Sequence, residues 1–550
     1  MRGLLLDFYD NIGKKIQFWL PVLIIAFSAF GFSIFNRTIN WDDLLRQHYF
    51  DQTLLGRWGM NVWSLVVGTL SIVPYTDRFL SFLLLLSSSF FLSSLFYYIS
   101  GHKRIWSYTV FASIFVSYPL INEIWEYIGA DVMVTGNMCL VTIAFIILLV
   151  NEKKVNRANY VVSIFLMVIP VSSYESPVFM YVSILCFYMF YGYSFLNSSF
   201  VPIKKWFYLS IYYLLPILIA YIIRLFVCRI LCFLIGCSPQ DIGDTSITWG
   251  TNSFVFILKG LVKDWIYDYV VNGFVYFPIF VFVLFSLLFM SYVVYFTIMK
   301  KNIQLLLFGV FAFISLFSLM CIQGSLQPYR TSQSLSFFVA FVAFMLCVHI
   351  KKRNMYNAVV VVLLVLSWHQ SVYMNKVLSL NNLRSNNEAS VIRNMGLRIL
   401  SGYEKKPVVF VSDIALGSWV EGEIRVDESS WNGKLYYAVA SKISDLITSG
   451  DNNKYIWPHN KRYVHSNINN NFGYYPTIKD YFSYYGFDLD VICPKGRPNQ
   501  KTNYNKHDKE LLKKSISYAK KYKMKPFEIR DMGNYLIVNM NGSFYDVSRF

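Results

Sequence analysis

The chain alternates long apolar runs with short polar connections, the pattern of helices that cross a bilayer one after another. A spanning helix needs roughly 17–25 predominantly apolar residues. Eleven runs approach or meet that length, at about 17–35, 78–99, 105–121, 132–150, 158–174, 178–196, 207–227, 274–298, 304–321, 332–350 and 357–373. The stretch 60–74 is apolar but short and dotted with Gly and Ser, so it reads as a re-entrant or interfacial segment. The first run is too long for a signal-peptide core and no small-x-small cleavage pattern follows it, so it reads as a retained span.

The connections divide by charge. Lys14-Lys15, Lys103-Arg104, Lys153-Lys154 with Arg157, Lys204-Lys205, Lys300-Lys301 and Lys351-Lys352-Arg353 fall on alternate loops. The loops between them carry Asp42, Asp43, Asp51, Glu123, Glu126, Asp131, Glu175, Asp241, Asp244, Asp264 and Asp268. Basic loops stay in the cytoplasm, so the alternation predicts a cytoplasmic N-terminus. An odd number of spans then predicts an outer-face location for everything after residue 373.

Beyond residue 374 the apolar runs shrink to strand length, in PVVFVSDI (407–414), DLDVICP (488–494) and NYLIVNM (534–540). Helix-like stretches lie at 389–400, 436–447 and 509–522. This alternation predicts a small α/β domain over 374–550, following a membrane domain over 1–373 whose first outer loop is 36–77.

Composition agrees with the membrane class. The 550 residues are 55% hydrophobic and 15% charged, with mean hydropathy +0.42, against about 25% charged in a soluble domain. The net charge of +18 does not signal nucleic-acid binding, because much of it sits in the short loop clusters. Cys139, Cys186, Cys321 and Cys347 fall in or at the ends of spans. Cys228, Cys232, Cys237 and Cys493 lie toward the outer face, where an oxidising compartment permits a disulfide, and their spacing is not a zinc pattern. No His/Asp cluster has ligand spacing, so the expectation is no resident metal, leaving room only for a loosely held Mg2+ or Mn2+.

The candidate chemistry lies in outer polar residues. In NWDDLLRQHYFDQTLLGRW (40–58), Asn40 can cap a helix whose first turn holds Asp42 and Asp43, favourable against the helix dipole. Arg46 then stands four residues after Asp42 and three after Asp43, in reach of either. A paired carboxylate stays ionised and oriented, as a general base requires. Arg57 is suited to phosphate, with headgroup contact the plainer alternative, and Trp58 to a sugar face or the headgroup level. Glu123 and Glu126 flank Trp125 and can face an acceptor or simply solvent. Glu175 is a lone acid between two spans, a position often functional. Tyr329-Arg330 adds a second outer cation. Arg224, inside the seventh run, reads as a snorkelling side chain rather than a catalytic one.

DDLLR (42–46) with GRW (56–58), and SSYESPVF (172–179), resemble the GT-C glycosyltransferases that use polyprenyl-phosphate sugars, and within them the serotype-converting O-antigen glucosyltransferases of the Gtr type. The resemblance covers roughly residues 15–373. It implies a GT-C-like fold in the bacterial inner membrane. It also implies transfer of a glycosyl residue, glucose by family, from an undecaprenyl-phosphate donor to an O-antigen or other polysaccharide acceptor on the periplasmic side. Asp43, or Asp42, would be the base. Arg46, Arg57, Trp58, Tyr329 and Arg330 would hold the donor, and Glu123, Glu126 and Glu175 the acceptor or sugar. Implied partners are membrane lipid, a separate donor-synthesising glycosyltransferase and a flippase. Two other classes share the outline: a lipid-linked sugar flippase or transporter, and an O-antigen polymerase.

Overall fold

The computed structural model describes residues 2–36, 56–67, 74–119, 124–125, 130–152, 156–196, 202–236, 249–250, 253–266, 269, 277–325, 331–402, 405–412, 482–483, 486–493, 506–540 and 544. These residues form two compact units, one built mainly on residues up to Leu378 and the other mainly on Ser379 onward.

The first unit is helical. Its elements are α1 (Arg2–Phe8), α2 (Ile16–Phe35), α3 (Gly59–Val67), α4 (Pro74–Ser100), α5 (Ile105–Ser117), α6 (Ala130–Asn151), α7 (Arg157–Ser173) and α8 (Ser176–Tyr188), which runs on as a wider turn to Leu196. They are followed by α9 (Ile203–Ile235), α10 (Phe254–Trp265), α11 (Phe277–Lys300), α12 (Ile303–Ser315), α13 (Ser318–Gln323), α14 (Gln333–His349) and the start of α15 (Arg353–Leu400). Ten of the predicted apolar runs fall mainly on one helix each, whereas 304–321 is broken at Leu316-Phe317 into α12 and α13. Among the described residues, six stretches are long and apolar enough to cross a membrane: Ile16–Phe35, Tyr75–Ser100, Asp131–Asn151, Lys204–Leu234, Phe280–Lys300 and Arg353–Ser379. Ile105–Ser117, Arg157–Ser173, Ser176–Gly192, Ile303–Ser315 and Gln333–His349 are apolar but shorter. The protein is a helical membrane protein with a small additional sheet.

Packing follows from small and aromatic residues. α4 carries the buried serines Ser88, Ser89, Ser93 and Ser94. Each returns its hydroxyl proton to a carbonyl three or four residues back, at 2.7–2.9 Å. That satisfies the hydroxyl without water and lets α6 approach closely. Phe96 of α4 meets Phe341 and Phe344 of α14 at centroid distances of 5.2 and 5.4 Å, and Phe187 of α8 meets Phe341 at 4.8 Å.

Two connections that carry basic clusters come together. Arg104 donates to the Ile350 carbonyl at 2.6 Å and its guanidinium lies over the Tyr356 ring at 4.9 Å. Glu152, at the end of α6, accepts from Tyr188 and Tyr213 at 3.1 and 2.9 Å. The short segment after residue 58 forms α3, which packs on α7 and α6.

Among the described residues, the second unit holds a four-stranded sheet of β1 (Val408–Phe410), β2 (Val491–Ile492), β3 (Glu528–Asp531) and β4 (Leu536–Asn539), in the order β2-β1-β4-β3. β1 runs parallel to β2 and β4, and β3 pairs antiparallel with β4 through a turn in which Gly533 takes φ 85°. One face packs Val408, Phe410 and Val538 on Ile392, Met395 and Ile399 of α15. The other packs Val409, Val411 and Ile537 on Leu512, Ile516 and Ala519 of α16 (Lys506–Lys521). Three strands fall on the predicted apolar runs, while β3 (EIRD) does not. The expected separate helix at 389–400 proves to be the end of α15, since nothing between 374 and 389 breaks the helix: that interval has no Pro or Gly. The expected helix at 436–447 lies outside the described residues.

Candidate active site

Among the described residues of the first unit, a polar cluster of two arginines and an acid gathers at the turn between α7 and α8. The sequence SSYESP builds it: α7 stops at Ser173, Tyr174 is extended, and Ser176-Pro177 open α8. Proline is well placed in a first turn because its missing N–H has no partner there anyway. Glu175 thus occupies the N-cap position, but its side chain caps nothing. It turns instead to two arginines.

Arg224 of α9 forms an ion pair with Glu175 at 2.9 Å, and Arg57 approaches the other carboxylate oxygen at 3.7 Å. Arg224 also donates through Nε to the Gly56 carbonyl at 3.1 Å and through Nη1 to the Val171 carbonyl at 3.0 Å. Val171 lies in the last turn of α7, where carbonyls lack helical partners and a cation is favoured by the dipole. Trp58 closes the loop by donating its indole N–H to the Arg224 carbonyl at 3.3 Å. Arg57 lies 5.8 Å over the Tyr174 ring, and Arg224 5.9 Å over Tyr221.

The two arginines are not equivalent. The Arg224 side chain is 14% exposed and has three acceptors, so it is a fixed part of the frame. Arg57 is 31% exposed and Glu175 35%. At 3.7 Å the two groups are too far apart to hydrogen-bond, so Arg57 can exchange its partner readily.

α3 holds the segment from Gly56 to Trp58 in place. Gly59 lies against Ser172 so closely that a Cβ there would strike its hydroxyl, and Gly136 of α6 lies under the Trp63 indole with no space for a Cβ. Trp63 donates to Asn137 Oδ1 at 2.9 Å, and Asn137 Nδ2 donates to Ser173 Oγ at 2.7 Å. These contacts tie α3 to both α6 and α7.

A second charged pair is fully buried. Arg78, in the first turns of α4, meets Asp131, in the first turn of α6, at 3.5 Å, with side chains 2% and 0% exposed. Asp131 also accepts from the Val132 amide at 2.9 Å, and Asp77 is buried beside Arg78. Removing two ions from water costs several kcal/mol each, and breaking such a pair leaves an uncompensated charge.

Of the residues singled out from sequence, the structure unites Arg57, Trp58 and Glu175. Asp42, Asp43, Arg46, Glu123, Glu126, Tyr329 and Arg330 lie outside the described residues. Arg224, read as a snorkelling side chain, is instead the hub of the cluster. The missed signal was a complementary pair: one cation inside an apolar run and one acid between two others, each needing a partner in lipid.

A family model described as glucosyl transferase GtrII matches residues 31–347, more than half of the chain. The chain belongs to the GtrII glucosyl transferase family. Membership makes it a glycosyltransferase and bears out the resemblance read from DDLLR and GRW. The matched span contains Arg57, Trp58, Arg78, Asp131, Glu175 and Arg224. No curated protein and no solved structure matches the chain significantly.

Proposed function

We propose that the chain transfers a glucosyl residue from an undecaprenyl-phosphate donor to an O-antigen or related polysaccharide at the periplasmic face of a bacterial inner membrane. In this reading the chain crosses the membrane eleven times, with the N-terminus cytoplasmic and the sheet-bearing unit periplasmic.

Asp43, with Asp42 as the alternate, removes the proton of an acceptor hydroxyl. The resulting oxygen attacks the anomeric carbon, the bond from that carbon to the phosphate oxygen breaks, and undecaprenyl phosphate departs. The charge left on the phosphate needs a cation in a site that excludes water. Arg57 serves that need, with Arg46 and Arg330 as further candidates from sequence. Direct displacement requires one base, unlike glycoside hydrolysis, which requires two flanking carboxyl groups. Inversion at the anomeric carbon is the family-level expectation. Glu123 and Glu126 are assigned to the acceptor side.

The observation that supports this reading is the Arg57–Glu175–Arg224 cluster within the family-matched span, whose Arg57 comes from the same first loop as Asp42 and Asp43. It supplies a reachable guanidinium on a rigid frame. An apolar groove of about 340 Å3 between α8, α9 and α12, lined by Leu185, Met189, Leu214, Phe308, Phe311 and Ile314 among others, offers an isoprenoid chain a compatible wall. Leu214 and Arg224 lie on one helix, about 15 Å apart along its axis.

The test is transfer by purified protein in vesicles, from undecaprenyl-phosphate [14C]glucose to purified lipopolysaccharide. Label in the polysaccharide supports the reading. Label moved across the bilayer with no glycosylated product would favour a transporter.

A further inference from the structure

Resting on that reading, we infer that Glu175 is a place-holder for the donor phosphate: it keeps Arg57 aligned in the empty site, and the phosphate takes Arg57 from it. Arg224 is the positioning residue that makes the exchange possible.

The geometry separates the two ion pairs. Glu175 holds Arg224 at 2.9 Å and Arg57 at only 3.7 Å. Arg224 is further bound to two backbone carbonyls, so it stays when Arg57 leaves. Glu175 therefore keeps a counter-charge through the exchange, and no carboxylate is stranded at membrane depth. Arg57 sits one residue from Gly56 and one from Trp58, both fixed by Arg224. Its backbone is held while its side chain can swing. Tyr174 gives the guanidinium a ring to rest on during that movement. A phosphate is a better partner than Glu175 because the Arg fork matches two of its oxygens, whereas the present contact uses one oxygen at long range.

Glu175 thus competes with the phosphate, and removing its charge strengthens phosphate binding through Arg57. The experiment uses the full-length protein in nanodiscs, with undecaprenyl phosphate as probe and undecaprenol as the control lacking the anion. The wild type binds the phosphate form more tightly. Glu175→Gln tightens the phosphate form by about two- to fivefold, the range expected for losing one weak competing pair, and leaves undecaprenol unchanged. Arg57→Gln removes the preference for the phosphate form. The double variant Glu175→Gln with Arg57→Gln behaves as Arg57→Gln alone, a result that a merely structural Glu175 does not produce. Glu175→Asp, which withdraws the carboxylate from Arg57, moves binding in the same direction as Glu175→Gln and covers the case of a variant that does not insert. Unchanged or weaker phosphate binding in Glu175→Gln, or in Glu175→Asp if the former does not insert, overturns the inference. A wild type that binds both lipids equally overturns the donor reading itself.

Discussion

The Arg224 guanidinium donates to the Gly56 carbonyl at 3.1 Å, joining residues 168 positions apart in the chain. One side chain thereby links the end of the first loop, the last turn of α7 and the carboxylate of Glu175. The site is organised from α9, a helix otherwise faced largely by exposed apolar residues such as Leu218, Ile222 and Phe226.

Arg224→Lys keeps the charge but loses the planar fork, so it can serve one acceptor well but not all three. Glycosyl transfer should fall by at least about tenfold, the rate equivalent of roughly 1.4 kcal/mol in the transition state. Initial rates normalised to membrane-inserted protein check this. An unchanged rate would show that loop position does not depend on the fork.

The buried Arg78–Asp131 pair behaves differently from an exposed one. Asp131→Ala should lower stability by about 3–5 kcal/mol, because Arg78 is left charged and buried. Replacing both together, as Arg78→Met with Asp131→Leu, should recover much of that loss. Thermal unfolding in detergent measures both variants, and equal damage from the single and double changes would contradict the pairing argument.

Gly136→Ala should displace α3, because its Cβ would enter the Trp63 ring. Trp63→Ala in the same chain should relieve the clash while losing the bond to Asn137. Proteolysis near residue 60 should increase in Gly136→Ala and return part of the way in the double variant.

The sheet carries an acid-sensitive element. The Lys525 amide and then Arg530 hold the Glu528 carboxyl below its ordinary range, and Lys406 with the Gly533 amide does the same for Asp531. A depressed folded value means that the unfolded chain binds protons first. The stabilisation is therefore complete above the unfolded carboxylate value of about 4 and is lost as pH falls through the depressed folded value. Pepsin cleavage of the sheet-bearing unit in the intact chain should rise over that window. In Glu528→Gln the rise should be shallower.

Much of the membrane unit was legible because a spanning helix needs only an unbroken apolar run, which needs no knowledge of partners. The three apolar strands were legible for the same reason. β3 was not, because EIRD is a short, charged edge strand defined by its pairing with β4. Arg57 reads from the sequence as a phosphate-binding candidate and Glu175 as a lone acid between two spans, yet their meeting depends on how α7, α8 and α9 pack. Arg224 was undervalued because its partners are two backbone carbonyls and a distant acid. Neither leaves a mark near residue 224.

In the proposed reaction a loop aspartate activates the acceptor for transfer from a lipid-phosphate sugar. The most direct measurement is the mass of the lipopolysaccharide repeat in cells expressing wild-type, Asp42→Asn or Asp43→Asn protein at equal membrane levels. A hexose increment is expected with the wild type and its loss in Asp43→Asn, or in Asp42→Asn if that residue is the base. A full hexose increment in both variants would contradict that reaction.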